Sequence, residues 1–262
     1  MSAPVTLSRE RRGELDVLVF DDARRLGVDA FVTTRVGGVS DGPYFSLNLG
    51  DHVGDDDEHV RENRRRVARA AGVATNHLAI LRQVHGREVL ELSAPSEVCG
   101  AGDALVTSSR ELAIAVLVAD CVPILVVNAR RGRIGVVHAG WRGLVAGVVA
   151  AALERVASVD DVYAFVGPSI SAARYQVGPT VADHFVDVPG ALHADHGDRK
   201  LLDLSRVVEH QLEAAGVAAS RIWSCDERTD DDAFFSDRAV RPCGRFALVA
   251  RRHLASTVVA GS

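Results

Sequence analysis

Three widely separated positions carry side chains that can bind a borderline metal, each at the end of an apolar run. They are His85 in Gln83-Val84-His85-Gly86, Cys121 in Ala119-Asp120-Cys121-Val122-Pro123, and His138 in Val137-His138-Ala139-Gly140-Trp141-Arg142. Two imidazoles and one thiolate form a three-ligand set suited to zinc. A tetrahedral zinc with three protein ligands keeps its fourth position for water or substrate, which marks a catalytic site rather than a structural one. No short signature such as HExxH joins the three positions, so the set exists only if the fold brings them together. The same atoms admit a second chemistry, with Cys121 as a thiolate nucleophile, His138 as its base, and Asp120 or His85 as the orienting group. Taken singly, each residue also has an ordinary explanation. A cysteine in an apolar run is usually a small buried hydrophobe, and a histidine at a strand end is usually a hydrogen-bonded structural residue.

The elements that must position these residues are short. His85 follows a strand and precedes Gly86, Cys121 follows a long apolar strand and stands two residues before Pro123, and His138 ends a strand two residues before Gly140. Strand ends beside glycine or proline place side chains at the rim of a sheet, where clefts form. Residues 17–20, 30–34, 78–84, 88–92, 112–118, 124–128, 134–137, 162–166, 222–224 and 246–250 read as strands. The run 112–118 is apolar throughout, as expected of a strand covered on both faces. Residues 58–71 read as a helix stopped at Gly72, 204–215 as a helix stopped at Gly216, and 140–157 as a small-residue helix with a weak point at Gly147. Residues 35–57 are rich in Gly, Asp and Asn, and a loop of that length in a compact domain is more often functional than idle. Residues 1–15 are polar and expected to fray. Strand clusters with intervening helices predict one domain over residues 1–262, of α/β or α+β class, with layered mixed sheets covered by helices.

Bulk properties exclude several function classes. A net charge of −5 gives no electrostatic case for nucleic acid. The basic stretch 61–69 reads as the exposed side of a helix. Lysine occurs once, at Lys200, and no Gly-Lys-Ser or Gly-Lys-Thr sequence exists, which removes a P-loop nucleotide site. No apolar run approaches the ~18 residues needed to cross a bilayer, and no leader sequence is evident. Cys99, Cys121, Cys225 and Cys243 show neither CxxC pairing nor dense spacing, which fits reduced thiols in the cytoplasm.

From about residue 30 to 250 the chain resembles the YfiH/YlmD/laccase-domain family. The resemblance rests on Thr33-Thr34-Arg35-Val36-Gly37-Gly38-Val39-Ser40, Ser46-Leu47-Asn48-Leu49-Gly50, Gln83-Val84-His85-Gly86, Gly102-Asp103-Ala104-Leu105-Val106-Thr107, Ala119-Asp120-Cys121-Val122-Pro123, His138-Ala139-Gly140-Trp141-Arg142-Gly143 and Gly167-Pro168-Ser169-Ile170. Phe234-Phe235-Ser236 and Gly244-Arg245 follow near the end, whereas segment 184–200 looks specific to this chain. The resemblance implies a layered α/β fold and a zinc site on His85, Cys121 and His138. It also implies phosphorolysis of adenosine, inosine and methylthioadenosine, together with adenosine deamination. Family members have also been described as copper-dependent polyphenol oxidases and as peptidoglycan editing factors.

That chemistry assigns roles to further residues. Zinc at the three-ligand set would lower the pKa of its water to about 7, activating it against C6 of adenine. Asp103 and Asp120 are the candidates for moving the proton, and each also fits a turn or ligand-orienting role. Arginine suits phosphate because its planar fork donates two parallel hydrogen bonds. Arg35 in the glycine-rich loop and Arg142 at an expected helix start are the candidate anion binders. Gln83 and Asn48 are candidates for hydrogen bonds to base or ribose. Tyr175 and Phe235 could stack on a base, although core or surface positions would explain them equally. Copper oxidation is physically poorer. Of ten histidines none forms His-x-His, and the eight besides His85 and His138 sit in no ligand motif, whereas multicopper oxidation needs a multinuclear cluster besides its blue site. Adventitious copper in the thiolate site remains compatible with weak phenol oxidation.

Overall fold

The computed structural model describes residues 3–4, 7–95, 100–156 and 159–253. Two large mixed sheets dominate it. One has seven strands in the order β1 (Ala3–Pro4), β15 (Ile222–Ser224), β11 (Val162–Val166), β9 (Val122–Asn128), β10 (Arg133–Ala139), β7 (Ala104–Thr107) and β6 (Val89–Leu92). The other has six, in the order β2 (Leu7–Arg12), β3 (Leu15–Phe20), β4 (Val28–Thr33), β16 (Phe246–Arg252), β8 (Ala113–Val118) and β5 (Leu78–Ile80). A small third sheet joins β12 (Gln176–Val177), β14 (Lys200–Leu202) and β13 (Leu192–Ala194). The helices are α1 (Asp21–Arg25), α2 (Asp57–Ala70), α3 (Trp141–Ala146), α4 (Val148–Val156), α5 (Pro179–Ala182) and α6 (Leu204–Ala214).

Side-chain alternation explains the layering. Successive residues of a strand point to opposite faces. In β8, Ile114, Val116 and Val118 face Leu125 and Val127 of β9 across the gap between the two large sheets. The opposite face of β8, Ala113, Ala115 and Leu117, is covered by Val67 of α2 and by Ala71 just beyond it. Val122, Ile124 and Val126 of β9 face away from the gap and lie under Val148 and Ala152 of α4 and Val207 and Val208 of α6. The order is therefore helix, sheet, sheet, helix, as the layered α/β expectation required. Every residue of β8 and β9 is buried, which is why β8, and β9 up to Val127, are apolar with no polar alternation. Each buried Val, Leu or Ile contributes roughly 1.5–3 kcal/mol relative to an exposed one.

Several local expectations need correction. Residues 7–15 are not frayed: β2 pairs with β3 from Leu7 opposite Phe20 to Arg12 opposite Leu15, closed by a turn in which Gly13 takes φ +63°. The Arg12 guanidinium reaches both carboxylate oxygens of Asp29 at 2.7 Å and lies over the Phe31 ring. The stretch reads as polar because β2 is an edge strand, with charged side chains on its open face. The helix expected over 140–157 is two helices, broken at Gly147, which closes α3 with φ +85°. Its last position, Ala157, lies outside the described residues, as does Cys99. The strand expected over 78–84 ends at Ile80, because Gln83 turns its side chain into the main chain of β8. Among the described residues no helix is long and apolar enough to cross a membrane.

Candidate metal centre and its cavity

The three donor residues meet at one end of the sandwich, where the chain passes from one sheet to the other. β8 ends at Val118 in the six-stranded sheet and β9 begins at Val122 in the seven-stranded sheet, so residues 119–121 make the crossing. Asp120 takes φ +87° there, and His85 takes φ +57° beyond β5. Among the described residues these are the two non-glycine positions with positive φ. Such strain costs on the order of 1–3 kcal/mol and persists only where the surroundings enforce it. The enforcement is visible at both. Asp120 accepts hydrogen bonds from the hydroxyls of Thr229 and Ser236 and from the Arg238 amide, each at 2.7 Å. Asp103, immediately before β7, accepts the amides of His85 at 2.9 Å and Gly86 at 2.7 Å.

Asp103 also fixes His138. The His138 Nδ1 lies 2.8 Å from Asp103 Oδ1, and the His138 amide donates to the Asp103 carbonyl at 2.8 Å. A carboxylate at Nδ1 sets the tautomer and leaves Nε2 as the available donor atom. The ligand atoms of His85, Cys121 and His138 all lie within 4.8 Å of one another. Small side-chain movements would bring all three onto one ion with bonds of about 2.0–2.3 Å. The imidazole rings stand edge to face, with centroids 4.7 Å apart and planes at 88°. Gly140 makes room for this packing. A Cβ there would meet Cys121 Sγ at 2.9 Å and His85 Cδ2 at 3.1 Å.

Electrostatics prepare the sulfur for a cation. Burial opposes ionisation of Cys121, but His138 and His85 beside it bring its pKa down to about 6. Burial likewise opposes charge on His138, but the Cys121 sulfur and Asp103 raise it to about 9. Burial works against the Asp103 carboxylate too, yet His138 and the amides of Gly86 and His85 hold it below the usual range. The cluster thus favours a thiolate beside a positive charge, and thiolate is the form that binds metal or acts as nucleophile.

A cavity of about 340 Å³ opens over the cluster, and its other wall is rich in arginine: Arg142, Arg238, Arg241 and Arg245. Asp237 pairs with Arg241 at 2.6 Å and with Arg245 at 3.1 Å. Trp141 and Tyr175 supply aromatic surface. Burial, and next the charge of Cys121, push the Tyr175 hydroxyl up to about 12, so it keeps its proton.

The structure separates the expected site residues into two groups. His85, Cys121, His138, Asp120, Arg142 and Gln83 line the cavity. Gln83 does so with its amide already engaged: Nε2 donates to the Leu117 carbonyl and Oε1 accepts the Leu117 amide, both at 2.7 Å. It thereby ties the His85 loop to β8. Arg35 is not in the cavity wall; it donates to the Phe45 carbonyl at 2.9 Å and covers the Phe235 ring at 4.9 Å. Asn48 is fully buried, with its oxygen accepting the amides of Gly50 and Arg245 and its nitrogen donating to Gly50 and Asp55. It holds the backbone of Arg245 and does not reach the cavity. Phe235 is core, packed under Gly244. Asp103 is fully buried, and both it and Asp120 have their carboxylates engaged by the protein, so both are positioned as holders of backbone and ligand rather than as free proton carriers. Sequence reading missed Arg238, Arg241 and the cavity role of Arg245. The available signal was three arginines within 238–245, in a segment without apolar periodicity to explain them.

Residues 29–253 match the family described as "Multi-copper polyphenol oxidoreductase laccase". The chain belongs to that family. It is 38% identical over 227 residues to Purine nucleoside phosphorylase YfiH of Shigella flexneri, covering 84% of this chain and 92% of that protein. It is 40% identical over 223 residues to Purine nucleoside phosphorylase Rv2149c of Mycobacterium tuberculosis, covering 82% of this chain and 88% of that protein. The crystal structure of YlmD from Geobacillus stearothermophilus superposes with a TM-score of 0.88 at 31% identity, over 95% of this chain and 100% of that one. The crystal structure of the Bacillus licheniformis hypothetical protein YfiH gives 0.85 at 26% identity, over 93% and 98% of the two chains. The YfiH/YlmD resemblance read from the motifs is thereby borne out, and with it the layered fold.

Proposed function

We propose that this chain is a purine nucleoside phosphorylase with a zinc ion held by His85, Cys121 and His138. Its substrates on this reading are adenosine, inosine and methylthioadenosine, converted with phosphate to free base and the pentose 1-phosphate, with adenosine deamination as a second activity. The observation that carries the reading is identity of 38–40% to proteins of that name across more than four-fifths of the chain. The cavity supports it, because a donor cluster for a metal and an arginine wall for an anion face the same space.

The donor set fits zinc: a thiolate, two imidazoles, a locked tautomer at His138 and a glycine where any side chain would crowd the sulfur. Bound there, zinc supplies a Lewis acid that polarises an oxygen and makes water more acidic. The protein's own groups do the remainder. Asp103 holds both histidines in place through the His85 amide and the His138 ring. Tyr175, protonated at neutral pH, presents a hydroxyl donor to the cavity. The arginines draw anions and hold them against the sugar. Free thiols at Cys121, Cys225 and Cys243 suit a cytoplasmic setting. Copper would also bind a thiolate–imidazole set. Among the described residues, however, one cluster of three such donors is present, which does not favour multicopper oxidation.

The test is to incubate metal-quantified protein with adenosine, with and without phosphate, and to separate the products by chromatography. Adenine that forms only with phosphate supports phosphorolysis, and inosine formed without phosphate supports deamination. Neither product, in zinc-replete protein, sinks the reading. A second reading is favoured by one observation, the lowered pKa of Cys121 beside His138, which is also the arrangement of a cysteine hydrolase such as an amidase acting in peptidoglycan editing. Activity that survives a chelator and is lost on alkylation of Cys121 would select it.

A further inference from the structure

We infer that the cavity binds inorganic phosphate between the guanidinium groups of Arg142 and Arg238, with Asp120 as the residue that positions Arg238; the inference rests on the phosphorolysis reading. Four arginines line the cavity, but they are not equivalent. Arg241 and Arg245 share the Asp237 carboxylate, and Arg245 is further tied to the carbonyls of Cys243 and Gly244 at 3.0 Å. Each therefore has a carboxylate partner within the protein, although the single Asp237 charge offsets only one of the two. Arg142 and Arg238 have no carboxylate within ion-pair distance among the described residues. Arg142 lies over the Trp141 ring at 4.3 Å and Arg238 over the Tyr175 ring at 4.9 Å. A guanidinium laid on an aromatic face is held in orientation while its in-plane N–H donors stay available. Arg238 gives one of these donors to the Gln176 carbonyl at 2.9 Å, and the rest remain for a ligand.

Two such groups, from different elements and lining one cavity, suit a small dianion. Arg142 stands in the first turn of α3, four residues after His138. Arg238 comes from the loop beyond Ser236, whose hydroxyl and whose Arg238 amide both bind the Asp120 carboxylate. Asp120 directly precedes Cys121, so one strained residue sets the distance from the anion-binding loop to the donor cluster. Both guanidiniums and the cluster line one cavity of about 340 Å³. In the reaction a phosphate oxygen bonds to C1′ of the sugar as the C1′–N9 bond breaks. The bonding pair leaves with the base, and N9 gains the proton that the phosphate gives up.

The experiment compares Arg142→Gln, Arg238→Gln and Asp120→Asn with the zinc-loaded wild type, measuring KM for inorganic phosphate and for nucleoside separately. Arg35→Gln serves as a control outside the cavity. Each cavity arginine variant is expected to raise the phosphate KM about tenfold or more, the loss of a charge-assisted bond, with nucleoside KM, metal content and Tm near wild type. Asp120→Asn is expected to raise the phosphate KM while its nucleoside KM stays unchanged, a split that general loosening would not give. Arg238→Lys should recover part of the effect by restoring the charge. An unchanged phosphate KM in the arginine variants overturns the proposal. So does loss confined to turnover of a 5′-nucleotide, which would assign the pair to a substrate-borne phosphate. Should the wild type show no phosphate-dependent base release, the phosphorolysis reading fails. Calorimetric titration with inorganic phosphate then decides the subsite alone: binding abolished in both arginine variants supports it, and absence of binding to the wild type overturns it.

Discussion

At the residue scale, the site depends on two small choices. Gly140 leaves no space for a methyl group, which would sit 2.9 Å from the Cys121 sulfur. Gly140→Ala is therefore expected to lose most of its bound metal while the far-ultraviolet circular dichroism stays that of the wild type. Metal analysis after gel filtration reads this, and a full complement of metal would refute it. Asp103 is the second choice, since one carboxylate secures the His85 main chain and the His138 ring. Asp103→Asn is expected to weaken metal binding at the cluster about 10- to 100-fold, measured by competition with a chromophoric chelator. The three donor residues could be picked out in the sequence by type and by position at strand ends, but each alone read as ordinary, and it was the resemblance of the motifs around them to a known family that grouped them. The roles of Asn48, Gln83 and Arg35 were not legible there. A polar side chain in a loop looks the same in sequence whether it faces a ligand or, like Gln83, a backbone amide and carbonyl 34 residues away.

At the element scale, local chemistry sets boundaries that periodicity blurs. Gly147 ends α3 at φ +85°, and a Cβ there would touch nothing within 4 Å. Gly147→Ala thus tests conformation without a clash. It should destabilise the fold by about 1–2 kcal/mol, the cost of placing an L-residue in the left-handed region, as read by urea denaturation. No loss of stability would mean that the break tolerates another backbone path. Helix α2 is capped by Asp56, whose carboxylate accepts the amides of Glu58 at 2.7 Å and His59 at 3.2 Å. Asp56→Ala should lower stability in the same assay by removing this cap, and an unchanged midpoint would refute it. Long apolar runs such as β8 announced themselves, because burial on both faces leaves no polar residue in them. The small sheet of β12, β13 and β14 did not, since strands of two or three residues carry no period to detect. The edge strand β2 was hidden by the charged side chains that protect it.

At the scale of the whole molecule, the two large sheets are joined by one shared core and the site sits at its end. Phe165 lies in that core, stacked on Trp223 at 4.8 Å and edge-on to Phe20 at 5.7 Å. Phe165→Ala should lower stability by roughly 3–5 kcal/mol in denaturant titration, and a loss within the range of a surface mutation would show that the sheets do not depend on it. The six-stranded sheet has a further property. Its strand β16 lies between β4 and β8, with Leu248 opposite Val32 on one side and Val116 on the other. During translation both flanking strands leave the ribosome well before the one that separates them. Without residues 246–252, β4 and β8 would each have an unpaired edge, and an unpaired β-edge is a template for aggregation. The arginine-bearing segment 238–245 is threaded just ahead of that strand. One wall of the cavity and the strand that closes the sheet thus belong to the same continuous stretch of chain.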